Sequence, residues 1–403
     1  MLHDPAFPAA GVNDAVERVV AVAAAHADAV DRDGRFPAEA VAALRAEGLL
    51  GMMVPVELGG FGATMATIAG HAQRLGGACG STAMIFAMHQ IQVACVLEYG
   101  LDHDWYRDLA RRIAVDQMLV ASITSEVGTG GDMRSSVCAI EVADGRFTLT
   151  KQAPTVSYGA YADLFLVTAR AGPDAARSNQ VLVAVPAAEC TMTSTSGWDP
   201  LGMRGTCSTG FTFASSGTAD QILPADFADI AAETMTPVSH MLWAGVWTGI
   251  AADAVSRART FVRAQARSQP GTIPPGAGRL MKAVGLLESM HGRIADLLAR
   301  YDASHALGSD RVVVSEDEAG WPSGMVRATT LNMLKHDVSE MCHEAVLQAM
   351  RICGMAGYKN GTEYSVGRNL RDVLSAQLMI NNDRIATNTG AMLLAQRSAL
   401  GRL

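Results

Sequence analysis

The hydrophobic period changes twice along the 403 residues, and this limits the possible folds more than any single motif. From about Asn13 to Arg112 apolar residues recur at helical spacing. Val16, Val19, Val20 and Ala23 stand at i, i+3, i+4 and i+7 behind Asp14-Ala-Val-Glu17, which has the form of a capping box. A second helix is expected over Phe36–Glu47, with Pro37 in its first turn, where a proline is tolerated, and Gly48 after its end. From about Leu119 to Ala228 the pattern becomes that of strands. Arg146–Thr150 and Gly210–Phe213 alternate, while Leu164–Thr168 and Val181–Val185 are short apolar runs bounded by turn residues. From about Ala231 helical spacing returns in four long segments, His240–Arg267, Arg279–Tyr301, Met325–Ile352 and Leu374–Leu400. Breaks fall at Gln269–Gly276 and Gly308–Pro322. The expected fold is α+β, mostly α: an N-terminal helical domain over 1–118, a middle antiparallel β domain over 119–228 and a C-terminal four-helix bundle over 229–403.

Composition narrows the function classes. Hydrophobic residues make up 49% and charged residues 18%, which suits a large core and excludes a disordered chain. The net charge of −8, with no basic block, argues against nucleic acid as a partner. Uninterrupted apolar runs such as Leu49–Val56 fall far short of the roughly 18 residues of a membrane span. The first ten residues lack the basic and apolar stretches of a signal peptide. Seven scattered cysteines without a CxxC pair read as reduced thiols in a cytoplasmic protein, not as disulfides or zinc ligands.

Ser125-Glu-Val-Gly-Thr-Gly-Gly-Asp132 follows a strand expected at Leu119–Ile123. Three glycines within four residues let the backbone approach a ligand closely, so the segment is either a cradle for an anion or cofactor edge or an ordinary glycine turn. It lacks the Lys-Ser/Thr of a P-loop and the following helix of a dinucleotide fold. His336 and His343 could share a helix face, but no histidine or cysteine group has zinc spacing, and no GxSxG elbow is present.

The order helices, β domain, helices resembles the acyl-CoA dehydrogenase superfamily, and five segments in the family's order carry the likeness. They are Val54-Pro-Val-Glu-Leu-Gly-Gly-Phe-Gly62, Ser125–Asp132, Val156-Ser-Tyr-Gly-Ala-Tyr-Ala-Asp163, Leu201-Gly-Met-Arg-Gly205, and Cys353-Gly-Met-Ala-Gly-Tyr358 followed by Val366-Gly-Arg-Asn-Leu-Arg-Asp372. The resemblance implies FAD held between the β domain and the bundle, in a homotetramer or homodimer. It places Ile123, Thr124 and Ser125 along the flavin, Gly130 and Gly131 in the flavin loop, and Ser157 where the family has a flavin-facing hydroxyl. Arg267, Arg351 and Gly354 would meet the rest of the cofactor, Arg267 at its pyrophosphate.

This sequence also departs from the family pattern. The dehydrogenase reaction needs a carboxylate base. One family position falls on Ile380 and the other on Ser239, beside His240. The replacements on offer are His240, as a base or a packing residue, and Asp383, as a base or a cap, with Asn381 and Asn382 either orienting a carbonyl or forming a turn. Pro270, Ala153, Thr155 and Arg351 also replace usual residues, which suits FMN or a loosely bound reduced flavin as well as FAD. The leading expectation is α,β-dehydrogenation of an acyl thioester, on coenzyme A or a carrier protein, with an unconventional base and an electron-transfer partner. The alternatives are a two-component flavin monooxygenase fed by a flavin reductase, and a non-redox or degenerate homologue.

Overall fold

In the computed structural model, described over residues 9–305 and 313–396, five helices come first: α1 (Ala9–Asp33), α2 (Ala38–Ala46), α3 (Met65–Ala78), α4 (Gly80–Gly100) and α5 (Asp104–Val115). α1 begins upstream of the expected cap, so Asp14 and Glu17 lie inside it. Pro37 stands at the N-cap of α2 rather than within it. Gly48 does end α2: its φ of 74° is left-handed, and its N–H reaches Arg45 O at 3.1 Å. α4 is apolar on every side, with 18 of its residues buried, and this makes it the central helix of the N-terminal region. By length and composition it could cross a membrane, but 94% of its apolar window is buried inside the protein, as befits a core helix.

The middle region holds β1 (Val120–Ile123), β2 (Glu141–Ala143), β3 (Arg146–Ala153), β4 (Leu164–Arg170), β5 (Gln180–Pro186), β6 (Cys190–Ser194) and β7 (Phe211–Thr218). They form two sheets, β1-β4-β5 and β2-β3-β7-β6. The expectation of antiparallel strands holds for the second sheet and for β4-β5, but β1 pairs parallel to β4, Val120 against Leu164. Parallel strands need a long crossover, and here the chain between them runs through the Gly-rich loop, β2 and β3. β3 shows the period of two cleanly, with Phe147, Leu149, Lys151 and Ala153 turned inward.

The last region contains α6 (Phe227–Asp229), α7 (Thr236–Ser268), α8 (Ala277–Ser304), α9 (Glu316–Ala319), α10 (Gly324–Cys353), α11 (Met355–Tyr358), α12 (Gly367–Leu378) and α13 (Asn382–Ala395). A π-helical turn, Ile230–Met235, leads into α7. The expected fourth bundle helix is split. Met379 leaves the helical conformation at ψ 117°, Ile380 turns left-handed at φ 45°, and Asn381 caps a new helix by accepting from Asp383 N and Arg384 N at 2.9 and 3.2 Å. The expected end of that helix at Leu400 and part of the Gly308–Pro322 break lie outside the described residues. α3 and α7 meet backbone to backbone. A Cβ on Gly249 would stand 2.0 Å from Gln73 O, and one on Gly76 2.4 Å from Val246 O.

Candidate functional site

The Gly-rich loop is tied down from beneath. Glu126 points inward and accepts from Ser136 Oγ at 2.7 Å, Val137 N at 3.0 Å and Cys138 N. Lys151 of β3 lies 3.6 Å from the same carboxylate and donates to Thr168 O and Oγ1 at 2.6 and 2.7 Å. Both groups are buried; desolvation pushes the Lys151 pKa down, and Glu126 opposes it. Above this anchor the loop is free to shape a surface. Gly128, Gly130 and Gly131 take φ of 90°, 59° and 77°, a backbone that residues with a Cβ rarely adopt. Ser125 Oγ donates to Thr155 O at 2.6 Å, next to buried Ile123 and half-buried Thr124. The loop is clamped to the bundle by Arg384 of α13, whose Nη1 and Nη2 donate to Gly131 O and Gly130 O at 2.7 and 2.6 Å.

Facing loops supply hydroxyls. Ser157 Oγ and Ser208 Oγ are 2.9 Å apart, and Thr206 Oγ1 lies 2.9 Å from Ser208 Oγ. The Leu201–Gly205 segment is pinned from three helices. Asp372 of α12 accepts from Met203 N at 2.7 Å, Ser81 of α4 accepts from Gly205 N at 3.1 Å, and Arg204 Nε donates to Asp31 O of α1 at 2.7 Å. Burial raises the Asp372 pKa to about 6, against the Met203 N–H. Tyr158, Met203, Cys207 and Ile380 are all non-glycine residues with φ between 45° and 52°. Such conformations persist only where their surroundings fix them, and they concentrate at ligand sites. Tyr158 is fixed by its phenol on Val120 O at 2.9 Å and its N–H on Thr206 O at 2.7 Å.

A third face lies between α7 and α10. His240 is 1% exposed; its Nδ1 lies 3.1 Å from Leu331 O, and its Nε2 has no partner. The carbonyl must receive a proton from Nδ1, which leaves Nε2 a bare acceptor. Burial pushes the His240 pKa down to about 4, Lys335 adding to the shift. His240 is therefore neutral at pH 7 and a weaker base than the sequence suggested. One turn on from Leu331, Lys335 is fully buried. Its Nζ donates to Ile380 O at 3.0 Å and Asn382 Oδ1 at 2.6 Å, and it sits 5.8 Å from the centre of the Trp247 ring. Among the described residues it has no carboxylate partner. Burial pushes its pKa down to about 8. Asn382 passes the charge on, donating to Ser339 Oγ and Glu340 Oε1 at 2.9 Å each.

The structure thus brings Asn382 beside His240's helix pair, and Ile123, Thr124, Ser125, Gly130, Gly131 and Ser157 into neighbouring loops. It places two others at a helix start, the cap and turn alternatives of the sequence. Asp383 is exposed in the first turn of α13, where its charge suits the helix dipole, and Asn381 is the exposed cap of that helix. Arg267, Arg351 and Gly354 are also apart from the rest. α7 and α10 run side by side in one direction, His240 at Leu331 and Val262 near Ile352. At 1.5 Å per residue, Arg267 lies about 40 Å along α7 from His240, and Arg351 about 24 Å along α10 from Lys335. Both arginines are exposed. Sequence reading missed Lys335 and Arg384. Lys335 had a signal: it occupies a core position in the stripe Leu331, Leu334, Val338 and Cys342. Among the described residues no group of His, Cys, Asp or Glu could hold a metal.

The family models of the acyl-CoA dehydrogenase N-terminal domain and C-terminal domain match residues 10–116 and 279–394. Dibenzothiophene monooxygenase of Rhodococcus qingshengii is 28% identical over 253 residues, a match that spans only 60% of each chain. The amino sugar nitrososynthase DnmZ of Streptomyces peucetius is 25% identical over 394 residues, covering 94% of this chain and 91% of its own. Among solved structures, FMN-bound TdsC from Paenibacillus sp. A11-2 superposes with a TM-score of 0.82 at 18% identity, over 96% of this chain and 98% of its own. Butyryl-CoA dehydrogenase from Megasphaera elsdenii does so at 0.78 and 17%, over 96% and 99%. With both terminal domain models matched in order and the fold shared from end to end, the chain belongs to the acyl-CoA dehydrogenase family.

Proposed function

We propose that this protein is a flavin-dependent monooxygenase that uses reduced flavin supplied by a partner reductase. One observation carries the reading. At Ile380, where the resemblance expects a catalytic carboxylate, the chain offers only a backbone carbonyl, and that carbonyl is bonded to a buried ammonium, Lys335. The remaining candidates do not restore a base, since His240 is held near pKa 4 and Asp383 faces solvent. Abstraction of a proton beside a thioester therefore lacks its base, a loss worth about 10²–10⁴-fold in rate. Oxygenation has no such need. The relatives named for oxygenation of dibenzothiophene and for amino sugar nitroso synthesis are in keeping with it.

The residues present suit a flavin. The left-handed turn at Gly128–Gly131 leaves room for close backbone approach, with nothing within 4 Å of a Cβ built on Gly130. Ser125, Ser157, Thr206 and Ser208 offer hydroxyls that donate or accept. When bound, a reduced flavin supplies two electrons to O2, so that one oxygen atom enters the substrate and the other leaves as water. The protein's own part is to hold the flavin edge at Ile123–Ser125 and Ser157 and to keep a neutral acceptor, His240 Nε2, in a dry interior. The homo-oligomer that the resemblance implies is part of this reading, with Arg267, Arg351 and Gly354, exposed at the far ends of α7 and α10, available there to meet the rest of the cofactor.

The test supplies enzymatically reduced FMN or FAD with O2 and a panel of sulfur heterocycles and amino sugar nucleotides. The expected result is a product heavier by one or more oxygen atoms. Bleaching of bound oxidised flavin by an acyl-CoA under anaerobic conditions would overturn the reading in favour of a dehydrogenase.

A further inference from the structure

A lysine with no exposed surface and, among the described residues, no carboxylate in direct contact (Glu340 is reached only through Asn382) is costly to bury, and such a group calls for a reason. Among the described residues Lys335 makes no hydrogen bond to the Gly-rich loop itself. Its two hydrogen bonds both go to the α12–α13 turn, at Ile380 O and Asn382 Oδ1. Ile380 is the left-handed residue of that turn, and Asn382 is the first residue of α13. Two residues further, in the same helical turn, Arg384 grips the carbonyls of Gly130 and Gly131. The chain of contacts runs from α10, through the start of α13, to the loop. Each link is a hydrogen bond of 2.6 to 3.0 Å, the first two to the capped turn and the last two from α13 to the loop carbonyls.

We propose that Lys335 is a positioning residue for the flavin: its ammonium fixes the α12–α13 turn, and through Arg384 it fixes the Gly-rich loop in the shape that receives the cofactor. This rests on the flavin reading above. Lys335 touches neither flavin nor substrate in this role. It acts because an ammonium carries three donors on a long stem, enough to hold Ile380 O and Asn382 Oδ1 together. Ile380, with its carbonyl drawn to Lys335, cannot relax to an ordinary backbone conformation. α13 is thereby set in rotation and height against α10, and Arg384 is aimed at the loop.

The experiment compares flavin binding by fluorescence titration in the wild type, Lys335→Met, Arg384→Met and the double variant. Circular dichroism and thermal melting confirm folding. Lys335→Met is expected to weaken flavin binding about tenfold, equivalent to about 1.4 kcal/mol. The double variant is expected to be little worse than either single one, because both changes release the same loop. In turnover the loss is expected to appear as a higher flavin concentration for half-maximal rate. Lys335→Gln, which keeps an amide NH2 with two donors on a shorter stem, is expected to recover part of the affinity, and it takes over if the methionine variant does not fold. Additive effects of the two changes, or unchanged affinity in a folded Lys335 variant, would overturn the proposal. Hydrogen exchange across residues 124–132 gives an independent readout. If the wild type binds no flavin, the functional reading fails, and the exchange result judges Lys335 alone. Faster exchange of the loop in Lys335→Met then supports the coupling, and unchanged exchange refutes it.

Discussion

Three buried histidines, His71, His89 and His240, make this fold acid-sensitive to an extent the structure sets. Burial pushes each pKa from 6.5 to about 4. The unfolded chain takes up protons on these rings below about pH 6.5, whereas the folded chain does not until about pH 4. Stability is fully present above pH 6.5 and is lost as pH falls through that window. With 1.36 kcal/mol per pKa unit, one such histidine costs about 2 kcal/mol at pH 5 and nearly nothing at pH 7.5. All three together cost about 6 kcal/mol, a large share of the usual 5–15 kcal/mol. The decisive perturbation is His240→Asn, which keeps an N–H for Leu331 O and cannot titrate. Urea unfolding at pH 7.5 and pH 5 is compared in both proteins. The variant starts lower, because a smaller side chain leaves a cavity, but its loss between the two pH values is expected to be smaller by about 2 kcal/mol. Equal losses in the two proteins would show that His240 is protonated in the fold, and the account of a bare Nε2 would fail with it.

Other substitutions test single parts of the site and its frame. Lys151→Met strips the buried Glu126 of its cation and is expected to cost about 3–5 kcal/mol, read as a lowered melting temperature. Gly249→Ala drives a Cβ into Gln73 O and is expected to destabilise by about 1–3 kcal/mol or more, measured by urea unfolding. Asn381→Ala removes the α13 cap at a cost of about 1 kcal/mol by the same measurement. Asp383→Ala is expected to leave oxygenation unchanged in a product assay; a fall of roughly 10²–10⁴-fold would show that the reaction needs a general base after all and that Asp383 supplies it.

The site was only partly legible. The Gly-rich segment and the turn at Ser157 were readable as candidates because glycine spacing and turn residues are local signals, and the structure gives the glycines left-handed φ angles and Ser157 a hydroxyl contact with Ser208. The base was not legible. His240 has the right residue type, yet its environment, including Leu331 and Lys335 from α10, lies 91 and 95 residues away and lowers its basicity. Asp383 had the right charge in the sequence but faces solvent, because Met379 and Ile380 end one helix and Asn381 caps the next.

The sequence by itself determined the three regions, most helix positions and the family, because period, caps and turns act over a few neighbouring residues. Only the tertiary structure decided the parallel pairing of β1 with β4, the split between α12 and α13, and the burial of Lys335 against Ile380 O. These depend on contacts between residues far apart in the chain. Ionisation depends on them too, since a lysine or histidine loses basicity once packing removes the water around it.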